Sequence, residues 1–187
     1  MNKLLRETTL PSNHVMQLRR GDITLSDVDV IVNPANNHLN HGGGLAGFLA
    51  GKAGPTLQQE STEWVKKNGP VSHDSPAYTS AGDLPFHYII HAVGPIWGSG
   101  QEKSKLKAAV NGTLHLANDL KVKSIAIPAI STGVFGYPME SAARVIIPTI
   151  HGYLISNSDS SLKTVQLVVF NDQAVSVFSD IWDQIQP

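Results

Sequence analysis

Two short stretches of the chain combine glycine with small residues in a pattern suited to holding an oxyanion. His41-Gly42-Gly43-Gly44-Leu45-Ala46-Gly47 follows an aliphatic run and opens a segment of helical composition, and Ser131-Thr132-Gly133-Val134-Phe135-Gly136 is placed in the same way. Glycine lets the backbone approach a phosphate closely, and the first free N–H groups of a following helix point at it. One such loop is commonly an ordinary strand-to-helix turn. Two at the same sheet edge suit a diphosphate, one loop on each side, without many lysines. Asn33 and Asn36 stand where the first aliphatic run ends. Asparagine offers both a donor and an acceptor, as sugar hydroxyls require, although turn stabilisation is its usual role. Asp22 follows an earlier strand-like segment. Its carboxylate can accept from an exocyclic amine such as adenine N6, or serve equally well as an Asx-turn or cap. Phe170 ends the last aliphatic run and suits either base stacking or the core, with the core favoured on local sequence.

Other chemistries are excluded or disfavoured. A Rossmann site wants G-x-G-x-x-G and an acidic residue ~20 positions later at a strand end. The spacing here is G-G-G-x-x-G, and Glu63, at about that distance, falls in a helical segment. No Gly-Lys-Ser/Thr follows either loop, so a Walker A site is absent, and no G-x-S-x-G elbow is present. The chain has 8 histidines and no cysteine. A disulfide scaffold, a cysteine nucleophile and a thiolate zinc site are therefore excluded, and no H-E-x-x-H pair suggests a metal. No cofactor is expected.

The elements that must position these residues alternate along the chain. Strands are expected at 14–19, 28–33, 75–80, 88–93, 124–130 and 164–170. Helices are expected at 43–53, 56–67, 101–120, 139–154 (with Pro148 kinking it) and 174–184. Leu106, Val110, Leu114 and Ala117 share one helical face, as do Val175, Phe178 and Trp182. Residues 1–13 show no periodicity and are expected as a lead-in to a single domain over 14–187. Alternating strands and helices imply an α/β fold with a mixed, largely parallel sheet covered on both faces. In such sheets ligands sit outside the carboxyl ends of the strands, where both glycine loops fall. The length, 187 residues, suits one domain. With 41% hydrophobic and 16% charged residues the chain is expected to be globular. A net charge of -1 argues against a broad nucleic-acid or membrane footprint. No apolar run approaches the ~20 residues of a membrane span, and Met1 to Pro11 lacks a signal-peptide core. An intracellular protein, cytoplasmic or nuclear and monomeric, is the expectation.

Taken in order, Gly21-Asp22-Ile23, Val32-Asn33-Pro34-Ala35-Asn36, His41 to Gly47, His91-Ala92-Val93-Gly94-Pro95 and Ile127 to Gly136 resemble the macrodomain, a module that binds ADP-ribose. Any one motif is weak; five in series, spanning about residues 14–185, are specific. The resemblance implies a three-layer α/β/α sandwich. Carried over by position, Asp22 accepts from the adenine amine with the Ile23 N–H beside it, and Phe170 lies on the ring. Ser131, Thr132, Gly133, Val134, Phe135 and Gly136 wrap the diphosphate, and Gly43, Gly44, Leu45 and Ala46 cover its other side. Phe135 packs beside the distal ribose, and Asn36 bonds to it. The elbow is Asn-Pro-Ala-Asn where the family often has Asn-Ala-Ala-Asn. Many hydrolytic members carry aspartate where this chain has Ala46. The version here is similar to coronaviral macrodomains and to those of multidomain ADP-ribosyltransferases, which include both hydrolases and binding modules.

The first expectation is therefore an ADP-ribose-binding module that hydrolyses mono-ADP-ribose from acidic side chains, slowly and with help from the substrate. In it a diphosphate oxygen orients a water, Asn36 holds the ribose, and the Gly43 and Gly44 N–H groups stabilise developing charge, with His41 as a nearby accessory. The alternative is a non-enzymatic reader of ADP-ribosylated proteins. Poly(A) or single-stranded RNA binding is less favoured, because the charge is near neutral and surface aromatics are not clustered.

Overall fold

The structure is a computed structural model that describes residues 2–10 and 12–185. Met1, Pro11 and the last two residues of the expected domain lie outside the described residues. Seven strands form one sheet: β1 (Lys3–Thr9), β2 (Val15–Arg20), β3 (Val30–Pro34), β4 (Ala77–Thr79), β5 (Tyr88–Ala92), β6 (Ser124–Pro128) and β7 (Thr164–Val169). Their spatial order is β1-β2-β7-β6-β3-β5-β4. The five inner strands run parallel, and β1 and β4 pair antiparallel at the two edges.

The parallel core follows from residue type. Val30, Ile31 and Val32 are β-branched, fit a pleated surface, and are fully buried. Successive side chains point to opposite faces. Val30 and Val32 join the cluster formed with helices α3 (Glu102–Asp119), α4 (Met139–Ser156) and α5 (Asp172–Ile185), whereas Ile31 joins the other. That second layer is α1 (Gly44–Ala53) and α2 (Pro55–Asn68), contributing Leu49 and Leu57. Each such large side chain contributes roughly 1.5–3 kcal/mol by leaving water. The result is the expected three-layer α/β/α arrangement. Pro148 lies within α4, which continues past it to Ser156. No helix among the described residues is long and apolar enough to cross a membrane.

One expectation is overturned. Residues 3–9 are not a lead-in but strand β1, paired with β2 from Lys3↔Arg20 to Thr9↔Val15, so the sheet begins eleven residues before the boundary at 14. The register shifts between Leu4 and Arg6, which breaks the alternation that would reveal a strand. Lys3, Arg6 and Glu7 are also typical of an edge strand protected against further pairing.

Candidate ligand-binding cleft

The carboxyl ends of β2, β7, β6 and β3 open into a cleft of about 790 Å³. Asp22, Ile23, Asn36, Gly43, Gly44, Leu45, Ala46, Ser131 to Phe135 and Phe170 all line it. Gly136 and His41, singled out with them, do not. Strand order gives the cleft a direction. Asp22 follows β2 and Phe170 follows β7, at one end; Asn36 follows β3, and Gly94 beyond β5 lines the other.

Its two loops present a row of unused backbone donors. Gly43 caps α1 without a side-chain bond, and no acid sits in that first turn. The N–H groups of Gly44, Leu45 and Ala46 are the orphans every helix start leaves. Together with Gly42 and Gly43 they meet no acceptor among the described residues. In the second loop, Thr132 N–H bonds to Ala129 O at 3.2 Å and Gly136 N–H to Gly133 O at 2.9 Å. Those two are consumed in shaping the loop. Ser131, Gly133, Val134 and Phe135 keep their N–H groups free among the described residues. Ser131 holds a left-handed φ of 68°, and its buried Oγ has no partner. Gly44, at φ 56°, faces the second loop: a Cβ there would lie 3.5 Å from Val134 Cγ2, so the loops approach each other over the cleft. Among the described residues Asp22 is the only ionisable side chain in the lining, and no lysine or arginine joins it. An anion here would be met by backbone dipoles and the α1 N-terminus rather than by cations.

At the β2–β7 end, Asp22 Oδ1 accepts from Thr24 N and from Thr24 Oγ1, both at 2.8 Å. The cap role and an open acceptor therefore coexist, because Oδ2 meets no donor among the described residues. Phe170 is 76% exposed, which overturns the core assignment favoured by local sequence. Strand β7 ends at Val169, and Phe170 emerges past the sheet edge into the lining.

The asparagine elbow divides differently from what residue type suggests. Asn36 lines the cleft, but its side chain staples its own loop. Nδ2 donates to Asn40 O at 2.6 Å, and Oδ1 accepts from His38 N and Asn40 N, each at 3.1 Å. Asn33, the other sugar-binding candidate, is fully buried beneath the loop and absent from the lining. Its Nδ2 donates to His41 Nδ1 at 3.1 Å and to His91 Nδ1 at 3.0 Å. Each ring then carries its proton on Nε2, so His41 Nε2–H donates to Ser61 Oγ and His91 Nε2–H to Thr79 Oγ1, both at 2.9 Å. The rings stack 5.1 Å apart. Burial pushes His41 down, and burial followed by the neighbouring His41 pushes His91 down to about 3. The accessory role expected of His41 at the reacting centre is corrected accordingly: a neutral ring, saturated and outside the lining, anchors the residue just before Gly42.

Gly94 carried no role of its own in the sequence. A Cβ there would overlap Ser131 Oγ and lie 2.6 Å from Ile130 Cγ2, so only glycine lets β5's extension pass the second loop. Phe48 was missed too. It is 43% exposed, lines the cleft, and follows Gly44 by one helical turn. Its i+4 spacing from the glycine run was the available signal.

The family model for the Macro domain matches residues 32–146. An uncharacterized protein of Sulfolobus acidocaldarius is 45% identical over 89% of this chain and 89% of its own length. Human protein mono-ADP-ribosyltransferase PARP14 is 38% identical over 95% of this chain, which spans 10% of that protein. The solved macrodomain of Oceanobacillus iheyensis with ADP is 30% identical, covers 99% of this chain and 97% of its own, and has a TM-score of 0.91. A mutant of that macrodomain with ADPR is 31% identical, covers 96% and 97%, and scores 0.89. With the family matched over more than half of its length and the fold shared nearly end to end, the chain belongs to the macrodomain family.

Proposed function

We propose that the cleft binds ADP-ribose and that the protein hydrolyses mono-ADP-ribose from modified acidic side chains. The observation that carries the binding is the pair of facing loops. Together they offer nine free N–H groups, from Gly42 to Ala46 and at Ser131, Gly133, Val134 and Phe135, with no cation beside them. A diphosphate satisfies such donors. The carboxylate of Asp22 and the exposed ring of Phe170 suit adenine at one end, and the Asn36 loop suits the distal ribose at the other. The macrodomain structures with ADP and ADPR support the same assignment.

For hydrolysis, the distal end has no side-chain base among the described residues: Ala46 stands at the start of α1, and His41 is sealed away. A diphosphate oxygen takes the role, orienting a water and accepting its proton as the water adds. The bond between the ribose and the carboxyl group breaks, releasing ADP-ribose and a free acid. The Gly43 and Gly44 N–H groups stabilise developing negative charge, and Asn36 keeps the loop around the ribose. A tuned base is typically worth ~10²–10⁴ in rate, so turnover is slow and product-inhibited. The absence of any ionisable lining residue except Asp22 favours a second reading, a non-enzymatic reader of ADP-ribosylated proteins. Calorimetry with ADP-ribose and release of ADP-ribose from a mono-ADP-ribosylated protein separate the cases. Micromolar binding, ~8 kcal/mol, with slow release is expected. Binding without release leaves the reader, and no binding refutes both.

A further inference from the structure

We infer that Ile96 and Trp97 form a docking shelf for the polypeptide that carries the ADP-ribose, and that this shelf takes an apolar side chain next to the modified residue. The inference rests on the assignment of the cleft to ADP-ribose.

Topology sets where the polypeptide must emerge. With the base at the β2–β7 end, the distal ribose lies toward β3 and β5, and a protein joined to that ribose leaves the cleft there. Gly94 is the last lining residue contributed by the β5 segment, and the chain passes through buried Pro95 to the exposed Ile96 and Trp97. Trp97 N–H donates to Phe135 O at 2.8 Å, which ties this outward segment to the second loop. The Trp97 ring tilts against Tyr137 with centroids 5.0 Å apart. The next turn is held as well, by Gly100 N–H donating to Glu102 Oε1 at 2.9 Å.

Exposure then singles out the pair. Ile96 is 57% exposed and Trp97 is 50% exposed, side by side, and neither lines the cleft. Bound ADP-ribose accounts for the exposed Phe48, Val134 and Phe170, because those residues line the site. It leaves Ile96 and Trp97 in water. Isolated exposed apolar residues need no explanation, but an adjacent large pair at the mouth of a ligand site is the pattern of an interaction surface. Its backbone is already tethered, so an incoming chain meets an ordered aromatic anchor, the residue type that most often dominates binding energy.

Affinity for free ADP-ribose and for a peptide bearing it tests the shelf. The probe carries ADP-ribose through an amide on a glutamine side chain, which resists turnover, flanked by leucine or by serine. Trp97→Ala and Ile96→Ser are each expected to weaken the leucine-flanked peptide by about five- to tenfold relative to free ADP-ribose. The serine-flanked peptide should show no such difference. Ile96→Ser provides a second route should Trp97→Ala perturb the fold, which thermal unfolding checks. Peptide and free-ligand affinities that move in parallel, or a peptide affinity unchanged in both variants, overturn the shelf. Failure of the unsubstituted protein to bind free ADP-ribose overturns the cleft assignment instead, and the shelf with it.

Discussion

Replacing Gly133 with glutamate tests the diphosphate position directly. A Cβ at Gly133 meets no heavy atom within 4 Å, so the side chain projects into open space. Gly133 is exposed and lines the cleft, so the new carboxylate enters the site and not the core. Stability should change by no more than about 0.5 kcal/mol, as for most surface substitutions. Binding should not survive so well. A pair of unit charges about 4 Å apart repels by about 1 kcal/mol in bulk water and about 4 kcal/mol at a surface-like dielectric of about 20. In an open cleft the lower part of that range applies, and the two phosphate charges together give about 3 kcal/mol. ADP-ribose affinity should therefore fall by roughly two orders of magnitude. Gly133→Gln, of equal size and no charge, should lose less. Raising salt from about 0.1 M to 1 M shortens the screening length from about 10 Å to about 3 Å, and should recover affinity for the glutamate variant only. Calorimetry at both salt concentrations measures this, with thermal unfolding as the control for folding. A glutamate variant that binds like the unsubstituted protein would show that the diphosphate does not pass Gly133.

Three further outcomes are expected. Asp22→Ala should cost about 0.5–2 kcal/mol of stability through the lost cap at Thr24 and about 1–3 kcal/mol of ADP-ribose affinity. It should also erase any preference for adenine over hypoxanthine in the ligand; a retained preference rules Asp22 out as the acceptor. Gly94→Ala forces a Cβ into Ser131 and Ile130 and should destabilise by about 1–3 kcal/mol in urea unfolding, and an unchanged midpoint would contradict the close approach. The third concerns pH. Burial, and then the neighbouring His41, hold His91 down to about 3 in the folded protein, against its ordinary value of 6.5, so below 6.5 the unfolded chain binds more protons than the native one. Stability is thus full above 6.5 and is lost as pH falls from 6.5 toward 3, by about 2 kcal/mol at pH 5 from this group. A urea midpoint that stays flat between pH 7 and pH 5 would refute the buried neutral pair.

Much of the fold was legible because its signals are local. The β-branched run at Val30-Ile31-Val32, the Gly54-Pro55 break between α1 and α2, and the stripe of Leu106, Val110 and Leu114 each carry their meaning within a few residues. β1 was not legible, since an edge strand gains its hydrogen bonds from a neighbour and buries too little to impose alternation. The two glycine loops were visible for the same local reason: each sits between a strand and a helix, and it is the pair at one sheet edge, more than either loop alone, that points to a diphosphate.

The sequence by itself determined the order of strands and helices from β2 onward, the two glycine loops and the absence of thiol chemistry. Residue type and spacing suffice for those properties. Only the tertiary structure decided which polar residues face the cleft. Asn33 and Asn36 are chemically identical and three positions apart, yet one is buried under two histidines and the other lines the wall. His41 looks like a loop residue until Ser61, from α2, closes over it. Phe170 looks like core until β7 stops one residue short of it. In each case the outcome depends on which atoms arrive from distant parts of the chain, and that information is not contained in the residue's own neighbourhood.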